Sequence, residues 1–408
     1  MNPETTLHIR ECVVHMLNEQ SISKHKITIE FLGNVGNYLS DIGKIFVKGT
    51  KENGENANYD LFVKVAKQGE SREMLSMKEF FNREIYTYKH VFSLFAKIQE
   101  ESHIKDPFQV YPKFYTSSEV EEKEIIVLEN MQQKGFRITE RHQTFDYPHA
   151  SILIKELGRL HALSFALKDR YPKLFQDIVT KLPDLEYRSA MRKLVKYVSE
   201  TIFPKYLYLI DVENQNEVYK KVEHIQKGLF NSLLQCSEVD INDPYLVIVH
   251  GDLWVTNVMF KYNKSFEPTR VCLLDWQTTK ISSPVIDISQ LIFVCLNKKE
   301  RDLYFHNLIS DYYNSFSKFL LQLGGQPNVA LPFKVLEDHL RKFSVCGLYT
   351  AIRMITLISI SSEDAPDPNV ENFMHALFNS KRNRNLFDTR MRDVLLDYVQ
   401  YGYGLYSN

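Results

Sequence analysis

The chain has 408 residues, which is long enough to bury a large core in two or three structural units. Fifty basic residues against 51 acidic residues leave a formal charge of −1, so no basic surplus supports nucleic-acid binding as the main activity. The 44% hydrophobic content excludes a largely disordered chain. The five cysteines are odd in number and lack metal-ligand spacing, so we expect reduced thiols without a metal.

Two stretches bear on location. The first residues, MNPETTLHIRECVVHML, carry charges before any apolar run, which argues against a secretory signal. The most membrane-like stretch, Phe343 to Ile360, contains Arg353 and several polar residues, and it predicts a buried helix rather than a membrane span. We therefore expect a cytoplasmic protein with no membrane, nucleic-acid or obligate protein partner.

The N-terminal part alternates strand-like runs with turns. After a leading helix assigned to residues 1–25, the runs are KITIEFLG, GKIFVKG, YDLFVKVAK and, further on, EIIVLENM. Between the last two, apolar residues from about Met74 to Phe95 recur at three- and four-residue spacing, which predicts a helix. The sequence therefore predicts a small antiparallel sheet with one helix over residues 1–131.

The remainder, residues 132–408, is predicted to be mainly helical. A strong helix from about His149 to Leu167 places leucines on one face, with Gly158 and Ala162 permitting close packing. Strand-like YLVIV and VCLLD follow before further helices. The fold class is therefore α+β and bilobal, with a small sheet lobe and a larger helical lobe.

Chemistry-bearing residues concentrate where these two later strands end. YLVIV runs into His250-Gly251-Asp252-Leu253-Trp254-Val255-Thr256-Asn257, and VCLLD ends at Asp275. Phosphoryl transfer needs a carboxylate to orient the attacking hydroxyl and oxygen ligands to hold a metal ion against the phosphates. We assign the first role to Asp252 and the metal to Asn257 and Asp275, because Val258–Phe260 can pair with Val271–Leu274 as a hairpin.

The same chemistry requires a cation on the nucleotide phosphates. In LFVKVAK, the alternation of a strand turns Lys64 away from Leu61, Val63 and Val65, so Lys64 can face a cleft. Glu84 on the following helix is its predicted partner, with Glu79 as a weaker candidate. The pattern predicts a kinase that uses ATP and Mg²⁺, with a protein-kinase-like fold in which residues 1–131 bind the nucleotide.

Two further segments are candidates for nucleotide contact. A turn contains Gly33, Asn34, Gly36 and Asn37, and it can supply backbone N–H groups to phosphate, although an ordinary strand-connecting turn has the same composition. Glu129 to Met131 lies at the lobe junction, where adenine can bond to the backbone.

These residues resemble a known family. HGDLWVTN, LLDWQ, SPVID and the GNYLS turn look like the ecdysteroid kinase-like family of insects, which has a choline-kinase-like or aminoglycoside-phosphotransferase-like fold. The resemblance extends over nearly the whole chain. It implies a cytosolic enzyme that transfers the ATP γ-phosphate to a hydroxyl of an ecdysteroid, or of a xenobiotic alcohol, phenol or glycoside in detoxification.

By that resemblance His250 supports the catalytic loop, and Asp252 is the base. Asp287 is similar to an acid that braces this loop in related phosphotransferases, but a helix-capping role fits it equally. Where the family commonly has a second asparagine in the loop this chain has Thr256, and its metal motif has Trp276 in place of phenylalanine. Neither difference removes a charge.

The sequence leaves more than one hypothesis for the acceptor molecule. A small, largely apolar alcohol is one hypothesis, and choline, an aminoglycoside or a sugar is another. A pseudokinase that binds nucleotide or a partner without turnover would be expected to have lost Lys64, Asp252, Asn257 or Asp275, and all four are present. Gly251 stands where protein kinases usually have arginine, and no Ala-Pro-Glu follows Asp275, which disfavours a peptide substrate.

Overall fold

The structure is a computed structural model that describes residues 3–32, 40–68, 72, 76–183, 189–238, 240, 243–361, 363–366 and 373–403. Of the predicted site residues, Gly33, Asn34, Gly36 and Asn37 lie outside the described residues. All the others lie within them.

Strands are concentrated in the first third of the chain and around the predicted motifs. The strands are β1 (Ile22–Phe31), β2 (Ser40–Lys51), β3 (Asn56–Ala66), β4 (Phe114–Ser118), β5 (Ile125–Glu129), β6 (Phe136–Ile138), β7 (Val247–Val249), β8 (Val258–Tyr262), β9 (Pro268–Leu273) and β10 (Lys280–Ser282). In the described chain, β1 to β5 form one antiparallel sheet in the order β1-β2-β3-β5-β4.

Helices make up most of the second part. The helices are α1 (Pro3–Glu19), α2 (Met77–Tyr86), α3 (Phe92–Glu101), α4 (Tyr147–Arg170), α5 (Pro172–Lys181), α6 (Ser189–Tyr197), α7 (Asn216–Ser237), α8 (Val285–Gln290), α9 (Lys298–Gln322), α10 (Pro327–Ala330), α11 (Phe333–Ile358), α12 (Phe373–Asn379) and α13 (Arg384–Gln400). This arrangement confirms the α+β class, with a small antiparallel sheet and a larger helical part. The predicted boundary after residue 131 falls between β5, in this sheet, and β6, which pairs with β8.

The leading helix is shorter than predicted. It ends at Glu19 rather than near residue 25, because Ile22 already pairs with Lys51 of β2 and Ser21 turns the chain with a φ of 58°. The helix predicted from Met74 to Phe95 extends to Glu101 as α2 and α3, joined by a π-helical turn at Thr87–Val91.

The two faces of β3 have different environments. Leu61, Val63 and Val65 are buried in a core shared with α1 and the neighbouring strands. Lys64 lies on the opposite face, towards α2, where its ammonium contacts Glu84. The alternation predicted from the sequence is therefore confirmed, and it turns the lysine away from the apolar core.

Helices α4 and α9 pack closely through Gly158, as the sequence predicts. A Cβ atom at this position would lie 2.7 Å from the Tyr312 carbonyl oxygen and 2.9 Å from the Phe316 nitrogen. Both are backbone atoms of α9, so a side chain would force the helices apart.

We expect Gly158→Ala to lower the free energy of unfolding by about 1–3 kcal/mol, because an overpacked helix contact cannot relax without moving backbone. Gly228→Ala on α7 is the matched control, since a Cβ there meets only the Ser232 hydroxyl at 4.0 Å. Removing a helix-interior glycine where space exists stabilises by about 0.5–1 kcal/mol. Urea unfolding measures the change in the free energy of unfolding for each variant. A change of the same sign in both variants would contradict the packing argument.

Phe343 to Ile360, the most apolar stretch, lies mainly within α11, which is largely buried in the helical part. Its helical and buried state confirms the prediction for this segment. Among the residues that the structure describes, no helix combines the length and apolar character needed to cross a membrane.

Candidate active site

Two pairs of strands bring the predicted motifs together. β7 ends at Val249, directly before His250, and pairs with β10, which follows the turn after Asp275. β8 begins directly after Asn257 and pairs with β9 as the predicted hairpin, with Val258 opposite Leu273. Beyond that pair, the Leu274 N–H donates to the Asn257 carbonyl at 2.9 Å. The loop at 250–257 and the turn at 274–279 are therefore held side by side at both ends.

Lys64 connects the sheet to this site. Its Nζ atom lies 2.6 Å from Glu84 Oε2 and 2.5 Å from Asp275 Oδ1, and it donates to Gln277 Oε1 at 3.3 Å. Only 12% of the lysine side chain is exposed. Burial lowers its pKa, but the carboxylates of Asp275 and Glu84 outweigh that effect and raise it, so Lys64 carries its charge.

Asp252 and Asn257 also contact each other. The Asn257 side-chain N–H group donates to the Asp252 carbonyl at 2.9 Å and to Asp252 Oδ2 at 3.2 Å. These contacts use the amide nitrogen and leave Oδ1 as the atom of this side chain able to bind a metal. The backbone hydrogen bond between Leu274 and Asn257 thus places this pair beside Asp275, which contacts Lys64 together with Glu84.

The backbone around Asp252 is held by side chains on several elements. The His250 and Gly251 N–H groups donate to Asp287 at 2.8 and 2.9 Å. Gln290 accepts from the Leu253 N–H at 2.8 Å and donates to the Gly251 carbonyl at 2.8 Å. A loop with its polar groups satisfied in this way holds the Asp252 backbone in one conformation.

His250 bridges the two loops. Its Nε2 atom lies 2.9 Å from the Leu274 carbonyl, to which it donates, and its Nδ1 atom accepts from the Asp252 N–H at 3.3 Å. The ring is fully buried, and burial lowers its pKa. A neutral imidazole protonated at Nε2 satisfies both contacts. His250 therefore links the start of the loop at 250–257 to the start of the turn at 274–279.

Gly251 is required by this geometry. Its φ is +84°, and a Cβ atom would lie 2.7 Å from the Thr278 carbonyl oxygen. The Thr278 hydroxyl also donates to the His250 carbonyl at 2.9 Å, which holds the turn at 274–279 against the loop. An arginine directly before Asp252 does not fit this backbone, which accounts for the departure from the protein-kinase sequence.

Asp287 braces the loop and does not cap its own helix. Pro284 occupies the N-cap of α8, and the fully buried Asp287 carboxylate turns to the two backbone N–H groups and to His161 Nε2 at 3.3 Å. His161 is held in turn by the Tyr312 hydroxyl at 2.8 Å from Nδ1. Burial raises the pKa of Asp287, but the hydrogen bond from His161, the electrostatic interactions with the His161 and His250 rings and the Gly251 N–H together hold it below its usual value.

We expect Asp287→Asn to lower the free energy of unfolding by about 1–3 kcal/mol at neutral pH, because buried donors lose an acceptor. The depressed pKa makes the carboxylate's contribution complete above about pH 4 and lost as pH falls through the lower folded-state value. The difference in the free energy of unfolding between wild type and variant, measured by urea unfolding, should therefore become smaller at acidic pH. Asp338→Asn, at an exposed aspartate, is the control. An equal loss of unfolding free energy in that variant would contradict the role of Asp287 in holding the loop.

Asp275 has an unusual backbone conformation. Its φ of 65° and ψ of 64° lie in the left-handed region, which aspartate and asparagine tolerate better than most residues. Gln277 Nε2 donates to Asp275 Oδ2 at 3.2 Å, so both carboxylate oxygens are oriented. The buried Trp276 that follows packs edge-on against Phe92, with centroids 4.8 Å apart, and anchors the turn.

The residues present fit a magnesium ion. In the described residues there is no group of three or more His, Cys, Asp or Glu side chains suited to a metal. Mg²⁺ does not need such a cage, since it is usually held by one or two carboxylates, waters and substrate phosphates. Asp275 and Asn257 supply hard oxygen donors, and Lys64 faces an excess of carboxylates, which favours a divalent cation.

The remaining predicted residues are less informative. The Glu129 side chain pairs with Lys134 at 3.0 Å, and its N–H donates to the Lys113 carbonyl at 2.8 Å. Met131 and Leu274 are partly buried against a small apolar cluster of Phe136, Met259 and Cys272. Lys64 pairs with Glu84 rather than with Glu79, the weaker candidate. The adenine contacts assigned to Glu129 and Met131 stay predictions.

A family model, described as the ecdysteroid kinase-like family, matches residues 34–325. The chain belongs to the ecdysteroid kinase-like family. The match includes every predicted site residue except Gly33. As a member of this family the chain is a small-molecule kinase, as the sequence predicts.

A comparison with curated proteins found no match. Among solved structures, this family member is similar to a spectinomycin phosphotransferase crystallised with ADP and spectinomycin. The two share 13% identity with a TM-score of 0.35, over 84% of this chain and 98% of the other. A similarity at this TM-score carries no argument about the substrate of this chain.

Sequence reasoning missed the side chains that support the loop from behind. His161, Thr278, Gln290 and Tyr312 hold Asp252 in place through other residues and touch none of the proposed metal ligands. His161 lies in LGRLHALS, a polar ring among leucines and alanines on a buried helix face, and that position was the available signal. Gln290, a buried amide three residues after Asp287, was the other.

Proposed function

We propose that the chain catalyses ATP- and Mg²⁺-dependent transfer of the γ-phosphate to a hydroxyl group of a small, largely apolar molecule. The observation that carries this proposal is the contact of Lys64 with both Glu84 and Asp275, beside the Asn257–Asp252 pair. A cation for phosphate, oxygen ligands for a metal and a carboxylate for the hydroxyl then lie in one site.

Each residue has a distinct role in the proposed reaction. Lys64, oriented by Glu84, binds the nucleotide phosphates. Asp252, positioned by the braced loop, orients the acceptor hydroxyl and accepts its proton as the oxygen attacks the γ-phosphorus and ADP leaves. Asn257 and Asp275 would hold Mg²⁺, which when bound neutralises phosphate charge. His250 acts only by positioning.

The adenine ring needs an apolar surface at the lobe junction. Met131 and Leu274 are partly buried against Met259, Phe136 and Cys272 in a cluster that extends from the junction to the strand before Asp275. This supports binding of the adenine base between the Glu129–Met131 segment and the turn at 274–279. The backbone of Gly33, Asn34, Gly36 and Asn37 would cover the phosphates.

We propose an ecdysteroid, or a xenobiotic alcohol, phenol or glycoside, as the acceptor. The family's description supports a polycyclic alcohol over a peptide. In addition, Gly251 occupies the position of the arginine that binds a phosphorylated activation loop in protein kinases, and its backbone leaves no room for a side chain. Hormone inactivation or detoxification in the cytoplasm is the physiological setting we propose.

The test is incubation of the purified chain with ATP, Mg²⁺ and a panel of ecdysteroids, plant phenols, glycosides, choline and aminoglycosides. Product masses are read for the gain of one phosphate. A phosphorylated steroid or phenol supports the proposal, whereas phosphorylation of choline or an aminoglycoside alone would replace the acceptor class. Nucleotide binding without any phosphorylated product across the panel would favour a pseudokinase.

We expect Lys64→Ala to lower kcat/KM for ATP roughly 10²–10³-fold, as for removal of one charge-stabilising donor. The carboxylates of Glu84 and Asp275 would then face each other without the cation between them. Lys48→Ala, which removes an exposed lysine of the same sheet, is the control and should leave kcat/KM unchanged. A Lys64→Ala enzyme with wild-type kinetics would place the phosphate cation elsewhere.

A further inference from the structure

Arg83 is a buried charged side chain that the proposed mechanism does not use. It lies on α2 directly before Glu84, and only 5% of it is exposed. Its Nη1 atom donates to the Thr279 carbonyl at 2.7 Å, and its Nη2 atom donates to the Pro183 carbonyl. Thr279 ends the turn at 274–279, and Pro183 lies two residues after α5. Arg83 therefore ties α2 to two backbone segments that lie far along the chain.

The other side of α2 contacts the sheet. Apolar side chains of this helix pack against β3 and β5 in a small cluster of Ala66, Phe81, Ile85 and Ile126. Glu84 is buried and contacts Lys64 of β3 at 2.6 Å. Successive residues of an α-helix point about 100° apart, so Arg83 and Glu84 reach different elements. One turn of α2 therefore joins the sheet to the segment that contains Asp275.

The same helical segment contacts that turn at a second point. Beyond the π-helical turn, Phe92 at the start of α3 packs edge-on against Trp276, with ring centroids 4.8 Å apart. Asp275, whose Oδ1 atom lies 2.5 Å from Lys64 Nζ, directly precedes this tryptophan. Arg83 holds the end of the turn and Phe92 holds its middle, so the position of the helix relative to Asp275 is fixed at two points.

A guanidinium group suits this contact. Its planar, rigid fork presents several N–H donors, so one side chain binds two carbonyls and fixes both the distance and the rotation of the helix that carries it. Both acceptors of Arg83 are backbone atoms, which are held by their own segments and do not follow a moving side chain. A lysine would present a compact ammonium on a flexible stem and would lack the fork.

We propose that Arg83 is a positioning residue that holds α2 in the orientation in which Glu84 contacts Lys64. In protein kinases the lysine–glutamate pair and the metal-binding aspartate must both be in place, and phosphorylation of the activation loop controls this. In this chain one side chain joins the helix of Glu84 to the turn of Asp275, so both groups are placed together without a phosphorylated loop. The inference rests on the proposed function, because Arg83 affects phosphate binding only through Glu84 and Lys64.

The first test is a double-mutant cycle in steady-state kinetics. Arg83→Met keeps an unbranched side chain that favours a helix and removes every N–H donor of the side chain. We expect it to lower kcat/KM for ATP roughly 10–100-fold, mainly by raising KM, and to lower it less than about threefold in the Glu84→Gln background. An equal loss in both backgrounds would overturn the proposal, because Arg83 would then not act through Glu84.

Two further variants complete the kinetic test. Arg83→Lys retains the charge but not the fork, so we expect a smaller loss of kcat/KM than in Arg83→Met, and it carries the cycle if Arg83→Met does not fold. Lys89→Met is the matched control, since it removes a cation of the same helical segment from an exposed ion pair with Glu119. The control should leave kcat/KM unchanged, and a loss equal to that of Arg83→Met would overturn the proposal.

The second test needs no acceptor. The full chain is treated with a limiting amount of acetic anhydride, and acetylation of Lys64 relative to the exposed Lys48 is measured by mass spectrometry. Although burial lowers the pKa of Lys64, the carboxylates of Asp275 and Glu84 raise it, so loss of the Glu84 contact increases the fraction of free amine. We expect roughly three- to tenfold faster Lys64 acetylation in both Arg83→Met and Glu84→Gln.

The acetylation test separates this inference from the proposed function. An acetylation rate of Lys64 in Arg83→Met equal to that in the wild type would overturn the role of Arg83. If the chain phosphorylates no acceptor, the proposed function fails, and the acetylation rates still decide whether Arg83 holds Glu84 against Lys64.

Discussion

Asp252→Asn is expected to lower kcat by roughly 10²–10⁴-fold, the contribution typical of a general base. Asparagine has nearly the same shape as aspartate but cannot accept the hydroxyl proton. The surrounding loop is held through its backbone by Asp287 and Gln290, and these contacts do not involve the Asp252 carboxylate. The variant should therefore fold normally and keep its affinity for nucleotide, so the loss should appear in kcat rather than in KM for ATP.

The measurement is steady-state turnover with the acceptor found in the screen, together with nucleotide-dependent thermal stabilisation. Asp302→Asn, an aspartate in a partly exposed ion pair on α9, is the matched control. Turnover of Asp252→Asn within tenfold of wild type would show that another group takes the proton. The site would then lose its assigned base, although the phosphate and metal roles would remain testable.

Asp275→Asn is expected to remove metal-dependent turnover, with a loss of roughly 10³-fold or more, because a metal ion contributes several kcal/mol of transition-state stabilisation. Asparagine is the appropriate replacement since it tolerates the left-handed conformation with φ of 65° that Asp275 adopts. Alanine would add backbone strain to the loss of charge. The asparagine variant instead isolates the missing carboxylate and its contact with Lys64.

Turnover is measured across a range of Mg²⁺ concentrations for the wild type and both Asp252→Asn and Asp275→Asn. Only Asp275→Asn should shift the Mg²⁺ dependence, whereas Asp252→Asn should lower the plateau without moving the midpoint. Urea unfolding in the absence of ligand controls for folding. An unchanged Mg²⁺ midpoint in Asp275→Asn would remove this residue from the metal role.

The sequence predicted the parts of the site that follow from local periodicity. The two-residue period of a strand predicts that Lys64 lies on the opposite face of β3 from Leu61, Val63 and Val65. The structure has this arrangement. The spacing of two apolar runs predicted the β8–β9 hairpin, which pairs Val258 with Leu273 and so joins Asn257 to the residue before Asp275. Glu84 followed from the position of a helix after the lysine strand.

Local patterns were less reliable at the ends of elements. The leading helix was placed too long because residues 20–25 are compatible with a helix in isolation, and only the pairing of β1 with β2 decides their state. Strand β4 was not predicted, since FYTSS has little apolar alternation and its pairing partner, β5, lies beyond a turn. Hydrogen bonds between strands outweigh single-residue preferences at such positions.

The sequence by itself determined the kind of chemistry, because the charges of Lys64, Asp252 and Asp275 and their places on strands are properties of short segments. The tertiary structure alone decided how Asp252 is held. Asp287 and Gln290 come from α8 and His161 comes from α4, on either side of the loop in sequence, and they meet the loop only when these helices pack. Buried polar groups must find partners once they leave water, and which partners they find depends on long-range packing that no local pattern encodes.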